Sequence, residues 1–332
     1  MKRIVLITMM FFAVAGVWAQ DLEAFQEGFE NFADALAPTL SYNATIGNNW
    51  SDAYIGNFPH FGIGLAVGAT TVPAPDLDLL FVAMNIAMPA ELENIGLPIP
   101  AAALSAKLGG FILPFDIGLK AMVLPDSLKN TLSEAGLIAD YTLFGGNVRY
   151  AVLKENLIMP DVSIGAGYNR LSGSIGMTLD TEVPSFTFYD GSTDRTIAAT
   201  NPELAIDWTT DSYDLTLQVS KNFLFIRPYA GAGYSFGKST VSGGLKSDVT
   251  YDGSPITQDQ LDDINATLVA AGSTEVPLSA TGILFGKEST DPALRIYGGV
   301  SMSLLIVHFD FSVSYVPLTS SLGASAMVLV KL

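Results

Sequence analysis

His308, Asp310 and Ser312 stand at alternate positions of one stretch, Leu305 to Tyr315, and an imidazole, a carboxylate and a hydroxyl are the groups of a nucleophilic triad. That chemistry needs the base within hydrogen-bond reach of the nucleophile and a third group to orient it. Positions two apart on one strand are about 7 Å apart along the backbone, and no nucleophile motif surrounds Ser312. No catalytic residue and no enzymatic activity are therefore expected. The same residues carry a different message. They fill one face of a stretch whose other face reads Leu305, Val307, Phe309, Phe311, Val313 and Tyr315, and successive side chains of a strand point to opposite faces. Bulky apolar groups on one side and polar groups on the other are the dyad pattern of a transmembrane β-barrel strand.

Extending that alternation along the chain puts Lys120, Asn147, Arg149, Asp161, Asn169, Asp214, Gln218, Arg227, Arg295, His308 and Asp310 on the inner face of such a barrel. Charges of both signs on facing strands either line a wet pore or neutralise one another as a packed ladder. Both remain open at this size, since eight strands are filled by their own side chains and sixteen leave an aqueous channel. Acidic residues gather in two stretches, Asp180 to Glu203 and Asp248 to Asp291. Carboxylate clusters can bind calcium, but this spacing fits no calcium loop, so no metal and no cofactor are expected. Such loops bias a pore mouth toward cations. A third candidate is apolar: Phe81, Met84 and Met88 lie in a connection that is unusually hydrophobic for a loop. Methionine adapts to varied apolar ligands, and a hidden strand or a loop packed on the barrel explains the segment equally well.

The elements that position these residues are strands. After an N-terminal segment, residues 38–332 read as an all-β antiparallel transmembrane barrel of about 12 strands, within 10–14. Eleven stretches are strong strand candidates, including Leu40 to Ile46, and a closed single-chain barrel has an even number. A twelfth could hide at Leu80 to Met88, Pro184 to Asp190 or Leu278 to Phe285. Short links such as Lys154 to Leu157 and Asn222-Phe223 fit turns on one side, with the acidic stretches as long external loops on the other. Tyr150, Tyr168, Phe223, Phe225, Tyr234, Phe236 and Tyr315 fall near strand ends, where aromatic girdles sit.

The first residues are of another kind. Met1-Lys2-Arg3, an apolar run to Val17 and then Trp18-Ala19 make a secretory signal peptide, residues 1–19. Residues 20–37 space Leu22, Phe25, Phe29, Phe32 and Leu36 as an amphipathic helix ending before Pro38. It serves either as a plug or lid at the barrel mouth or as a lead into the first strand.

Composition agrees. Hydrophobic residues make up 49% and charged residues 15%, yet no apolar run is long enough for a spanning helix. Without Lys2 and Arg3 the chain carries 14 basic against 33 acidic residues, or −19 from the formal −17. That balance excludes a nucleic-acid partner. With no cysteine, there is neither a disulfide framework nor a thiolate metal site. The expected partners are outer-membrane lipid, the barrel-assembly machinery and a small solute, and the expected location is the bacterial outer membrane. The final strand ends in Leu332 where such barrels often end in an aromatic residue.

Two stretches carry a resemblance: Gly145-Gly146-Asn147-Val148-Arg149-Tyr150 with Leu157-Ile158-Met159-Pro160-Asp161, and Ser220-Lys221-Asn222-Phe223 with Arg227-Pro228-Tyr229-Ala230-Gly231-Ala232-Gly233-Tyr234. They resemble an uncharacterised family of bacterial outer-membrane β-barrel proteins, distantly similar to long-chain fatty-acid transporter-like barrels. The resemblance covers roughly residues 58 to 240 and implies fold and location. The functions expected are a passive channel or transporter for small solutes or, alternatively, a closed structural or surface-interaction barrel whose acidic loops bind a partner.

Overall fold

The computed structural model describes residues 22–48, 52–58, 60–83, 87–110, 114–134, 136–178, 186–189, 194–263, 278–279 and 282–331. The expected leader, Met84 and most of the acidic stretch after 263 lie outside them.

Fourteen strands form one antiparallel sheet: β1 (His60–Val72), β2 (Leu97–Gly109), β3 (Phe115–Val123), β4 (Leu137–Leu153), β5 (Asp161–Thr178), β6 (Phe186–Tyr189), β7 (Asp194–Ser220), β8 (Ile226–Tyr251), β9 (Ser254–Pro255), β10 (Leu278–Ser279), β11 (Gly282–Ser289), β12 (Ala293–Leu304), β13 (Val307–Val316) and β14 (Ser321–Lys331). Ten of them close into a ring, β1-β2-β3-β4-β5-β7-β8-β12-β13-β14, and the seam is the antiparallel pairing of β14 with β1 from Gly62↔Lys331 to Thr70↔Gly323. Period two holds around the wall. In β1, Phe61, Ile63, Leu65 and Val67 stand outward and exposed, while His60, Gly62, Gly64 and Ala66 turn inward and are buried. Among the described residues no helix is long and apolar enough to cross a membrane.

The ring holds ten strands rather than about 12. Two of the suspected extra stretches do contain strands, but β6 pairs on β7 off the ring, and β11 pairs on β8 in line with β12 and so adds no position to it. The third begins as helix α2 (Asp78–Ala83), within a β1–β2 connection that also holds α3 (Ala90–Ile95). The remaining miscounted stretch is 40–46. It belongs to α1 (Leu22–Asn43) and the turn after it, inside the barrel. α1 continues through Pro38 instead of stopping before it. The alternation that suggested a strand there has a local cause: each polar residue meets a different part of the wall. Thr39 bonds Ser321 of β14, Ser41 bonds Ser239 of β8, Asn43 bonds Thr70 of β1, and Thr45 accepts from Arg295 of β12. A helix enclosed on all sides has no solvent face to keep polar, so its sequence need not follow the amphipathic pattern.

β7 and β8 run 27 and 26 residues, well beyond the roughly 9–11 that a tilted strand needs to cross a bilayer. Where they overshoot, they enclose a dry core. Phe29, Phe32, Leu36 and Leu40 of α1 pack there with Leu80 and Phe81 of α2 and with Leu143, Leu171, Trp208, Val241 and Phe285 of the wall. Two glycines permit the close approach. A Cβ at Gly28 would lie 2.8 Å from the Leu80 Cα, and one at Gly243 would lie 2.6 Å from the Phe29 ring. The apolar β1–β2 connection is thus the lid of this core, with Phe81 buried in it and Met88 packed against its edge.

Candidate functional site

Below the dry core the barrel interior turns polar, and residues 44–48 and 52–58 lie in it. Lys107 of β2 and Asn147 of β4 both donate to the Asn48 carbonyl, at 2.5 and 2.9 Å. Lys120 of β3 donates to the carbonyls of Ala44 and Ile46, at the carbonyl end of α1 where a cation is favoured. Arg149 donates to the Asp52 carbonyl at 2.7 Å and, through Nε and Nη2, forks onto both oxygens of Asp116 at 3.1 and 2.5 Å. The Asp52 carboxylate meets Lys331 of the last strand at 3.0 Å. Burial acts to raise the Asp52 pKa, but Lys331, Arg227 and Arg149 outweigh it and hold the carboxyl below its ordinary range.

Higher in the lumen, Arg295 pairs with Asp214 at 3.2 Å, donates to Thr45 at 2.8 Å, and lies over the rings of Tyr42 and Tyr297. Tyr229 donates to Asp310 at 3.0 Å. Between this cluster and the 42–47 segment is a cavity of about 80 Å³, lined by Tyr42, Asn43, Tyr229, Arg295, Tyr297 and Asp310 among others. At the rim with the short turns, Arg227 pairs with Asp161 at 2.7 Å and with Glu155 at 3.5 Å, and stacks on Tyr54.

The inward set named from the sequence falls as follows. Lys120, Asn147, Arg149, Asp161, Asn169, Asp214, Gln218, Arg295 and Asp310 are buried inside the wall, and Arg227 and His308 are half-buried near the short-turn rim. His308, Asp310 and Ser312 are not brought together: His308 Nδ1 bonds Ser303 at 2.8 Å, Asp310 accepts from Tyr229, and Ser312 bonds Ser325 at 2.6 Å. Two further charged partners, Lys107 and Asp116, occupy inward positions that the same alternation marks, between Ala106 and Leu108 and before Ile117. The contribution of residues 44–48 and 52–58 has no such signal, because the wall holds them mainly by their backbone carbonyls, which every residue type supplies.

A lumen filled by the chain's own N-terminal segment, inside a ten-stranded ring, is the frame for comparison with known proteins. The family of unknown function DUF6588 matches residues 83–281, which run from α2 into the stretch before β11. The chain belongs to this family. No protein of curated function matches the sequence. Among solved structures the fold is similar to the outer membrane protease OmpT from Escherichia coli (10% identity, 84% of this chain and 97% of that one, TM-score 0.34). It is similar also to the translocator domain of the autotransporter NalP from Neisseria meningitidis (8% identity, 83% and 88%, TM-score 0.34). A Pseudomonas aeruginosa FadL homologue is a further likeness (10% identity, 77% and 60%, TM-score 0.32). Likenesses this distant transfer no role to any residue.

Proposed function

We propose that this protein is a bacterial outer-membrane barrel that acts as a gated channel or transporter for small solutes, with residues 22–58 as the plug. The observation that carries this reading is how the plug is held. Through the lumen, residues 44–48 and 52–58 are gripped by side chains of the wall, largely through hydrogen bonds to carbonyl oxygens, with Thr45 and Asp52 also held by their side chains. Water replaces such bonds at modest net cost, of order 1.5–3 kcal/mol each where a charged group donates. The polar grip on residues 44–48 and 52–58 can therefore yield to water at modest cost, while the dry core around α1 stays packed. The apolar outward rows of the ring support the membrane location.

A second reading, a closed structural or surface-interaction barrel, draws support from the dry core that caps the plug. One experiment separates the two. The chain has no cysteine, and the hydroxyls of Thr39 and Ser321 lie 3.1 Å apart, so a Thr39→Cys, Ser321→Cys pair can staple plug to wall. In planar bilayers the gated reading expects current steps from the native and reduced proteins and silence from the oxidised one. Silence in all three, with a heat-modifiable folded band on gels, would favour the closed barrel.

A further inference from the structure

The rim with the short turns is apolar at its tips, which a water-facing turn has no reason to be. Leu224 and Leu305 are 90% and 98% exposed, and Leu157 and Ile158 are 97% and 84% exposed. Both of the first pair sit in two-residue hairpin links: Leu224-Phe225, closed by the Phe223 and Ile226 backbone bonds, and Leu305-Ile306, closed by Leu304↔Val307. Both have positive φ, 58° and 57°. That position in such a turn suits glycine, asparagine or aspartate, and a branched apolar side chain there is disfavoured. The same costly choice appears in two independent turns, so the medium around them must favour leucine.

The three turns are neighbours, because β5 pairs with β7 and β8 with β12. They are also tied together. Lys221 donates to the carbonyls of Asn156 and Met159, the Asn222 N–H donates to Glu155 at 2.9 Å, and the Ser303 N–H donates to the Phe225 carbonyl at 2.8 Å. The apolar tips are thus fixed on a rigid edge. They continue the outward apolar rows of the wall, through Val152 and Leu153 on β4, Leu217 and Val219 on β7, and Leu304 on β12. Depth agrees. Tyr213 stacks on its cross-strand partner Phe236 at 5.6 Å, marking the far aromatic level. From Phe236 down to Phe225 the strand covers about 36 Å at ~3.3 Å per residue, or about 28 Å of depth at a ~40° tilt, against about 25 Å for the apolar band of such barrels. The tips therefore fall where hydrocarbon meets headgroups. Beside them are the cations Lys154, exposed and donating to Asn57 at 3.1 Å, and Lys221, which holds the neighbouring turn, each with an N–H to spare, while Glu155 is engaged by Arg227 and the Asn222 N–H.

We infer that the turns 154–160, 221–225 and 304–307 are a membrane-seating edge, their leucines inserted into the near leaflet and Lys154 and Lys221 set against phosphate headgroups. The inference rests on the membrane reading above, and its test keeps the two apart. Single cysteines replacing Leu157, Leu224 and Leu305 are nitroxide-labelled in the full chain, in vesicles of phosphatidylethanolamine and phosphatidylglycerol. Leu217→Cys on the outward wall and Asn130→Cys on the exposed helix Asp126–Glu134, which links β3 to β4 at the far end of the barrel, are the references. Accessibility to oxygen relative to a water-soluble nickel chelate is expected to be severalfold higher at the three tips than at Asn130, approaching Leu217. Tips that match Asn130 while Leu217 keeps its lipid signature would overturn the inference and leave the edge free for a protein partner. A Leu217 label that itself reports water would overturn the membrane reading and the inference with it.

Discussion

Arg149 and Asp116 set the energetic tone of the interior. Both side chains are essentially inaccessible, at 1% and 0%, so neither charge has water to fall back on. Removing one partner of a buried pair strands the other, at about 3–5 kcal/mol, whereas replacing both by apolar groups of similar volume is often close to neutral. Asp116→Ala is therefore expected to lower the urea unfolding free energy in detergent by about that amount. The double variant Asp116→Leu, Arg149→Met is expected to recover much of the loss but not all of it, because Arg149 also donates to the Asp52 carbonyl. Equal losses in single and double variants would show that Arg149 contributes as much through its bond to the Asp52 carbonyl as through its pair with Asp116. The inward direction of Arg149 was legible in the sequence, since period two leaves no other choice once Val148 and Tyr150 face out. Its hold on residue 52 was not, because a backbone acceptor leaves no trace in residue type.

Among the elements, β2 shows where the wall departs from a simple barrel. It pairs with β1 over its whole length but with β3 only from Leu104 to Gly109, so residues 97–103 have one bare edge. Pro98 and Pro100 lie in that part, where a missing N–H costs no ladder bond. The Tyr141 hydroxyl partly dresses the edge, accepting from the Ala102 N–H at 3.3 Å and donating to the Ala102 carbonyl at 3.1 Å. Tyr141→Phe leaves both groups without that partner, at about 1–3 kcal/mol. Amide exchange is expected to accelerate at Ala102 and its neighbours while β1 and β14 keep their protection. An unchanged exchange pattern would mean the edge is held by packing alone. Ring strands with two partners were legible because each shows apolar residues to the outside. α1 was legible only to Pro38, since beyond it the amphipathic signal ends as the wall closes around it.

The whole molecule combines two interiors of opposite character, a dry one where the strands overshoot and a polar one within the ring, and the N-terminal segment joins them. The ring itself does not depend on that segment. Every inter-strand pairing from β1 round to β14 involves residues from His60 onward. Deleting residues 22–58 therefore removes interior contacts but leaves the strand ladders intact, at the loss of the Phe58 N–H bond to the Gly110 carbonyl beside them. Lys107, Lys120 and Arg149 lose acceptors but gain water, which a ten-stranded bore emptied of its plug would admit. The dry end fares worse: Leu80, Phe81, Trp208 and Val241 lose the apolar face of α1, and burying a large apolar side chain contributes about 1.5–3 kcal/mol. The deletion is accordingly expected to keep the heat-modifiable band of a closed barrel, to unfold at lower urea, and to conduct in bilayers without the closures of the native protein. Loss of the folded band would instead show that the segment is a core on which ring closure depends, and the gate would have to be sought in its contacts with the wall, beginning with the Asp52–Lys331 pair that joins it to the closing strand.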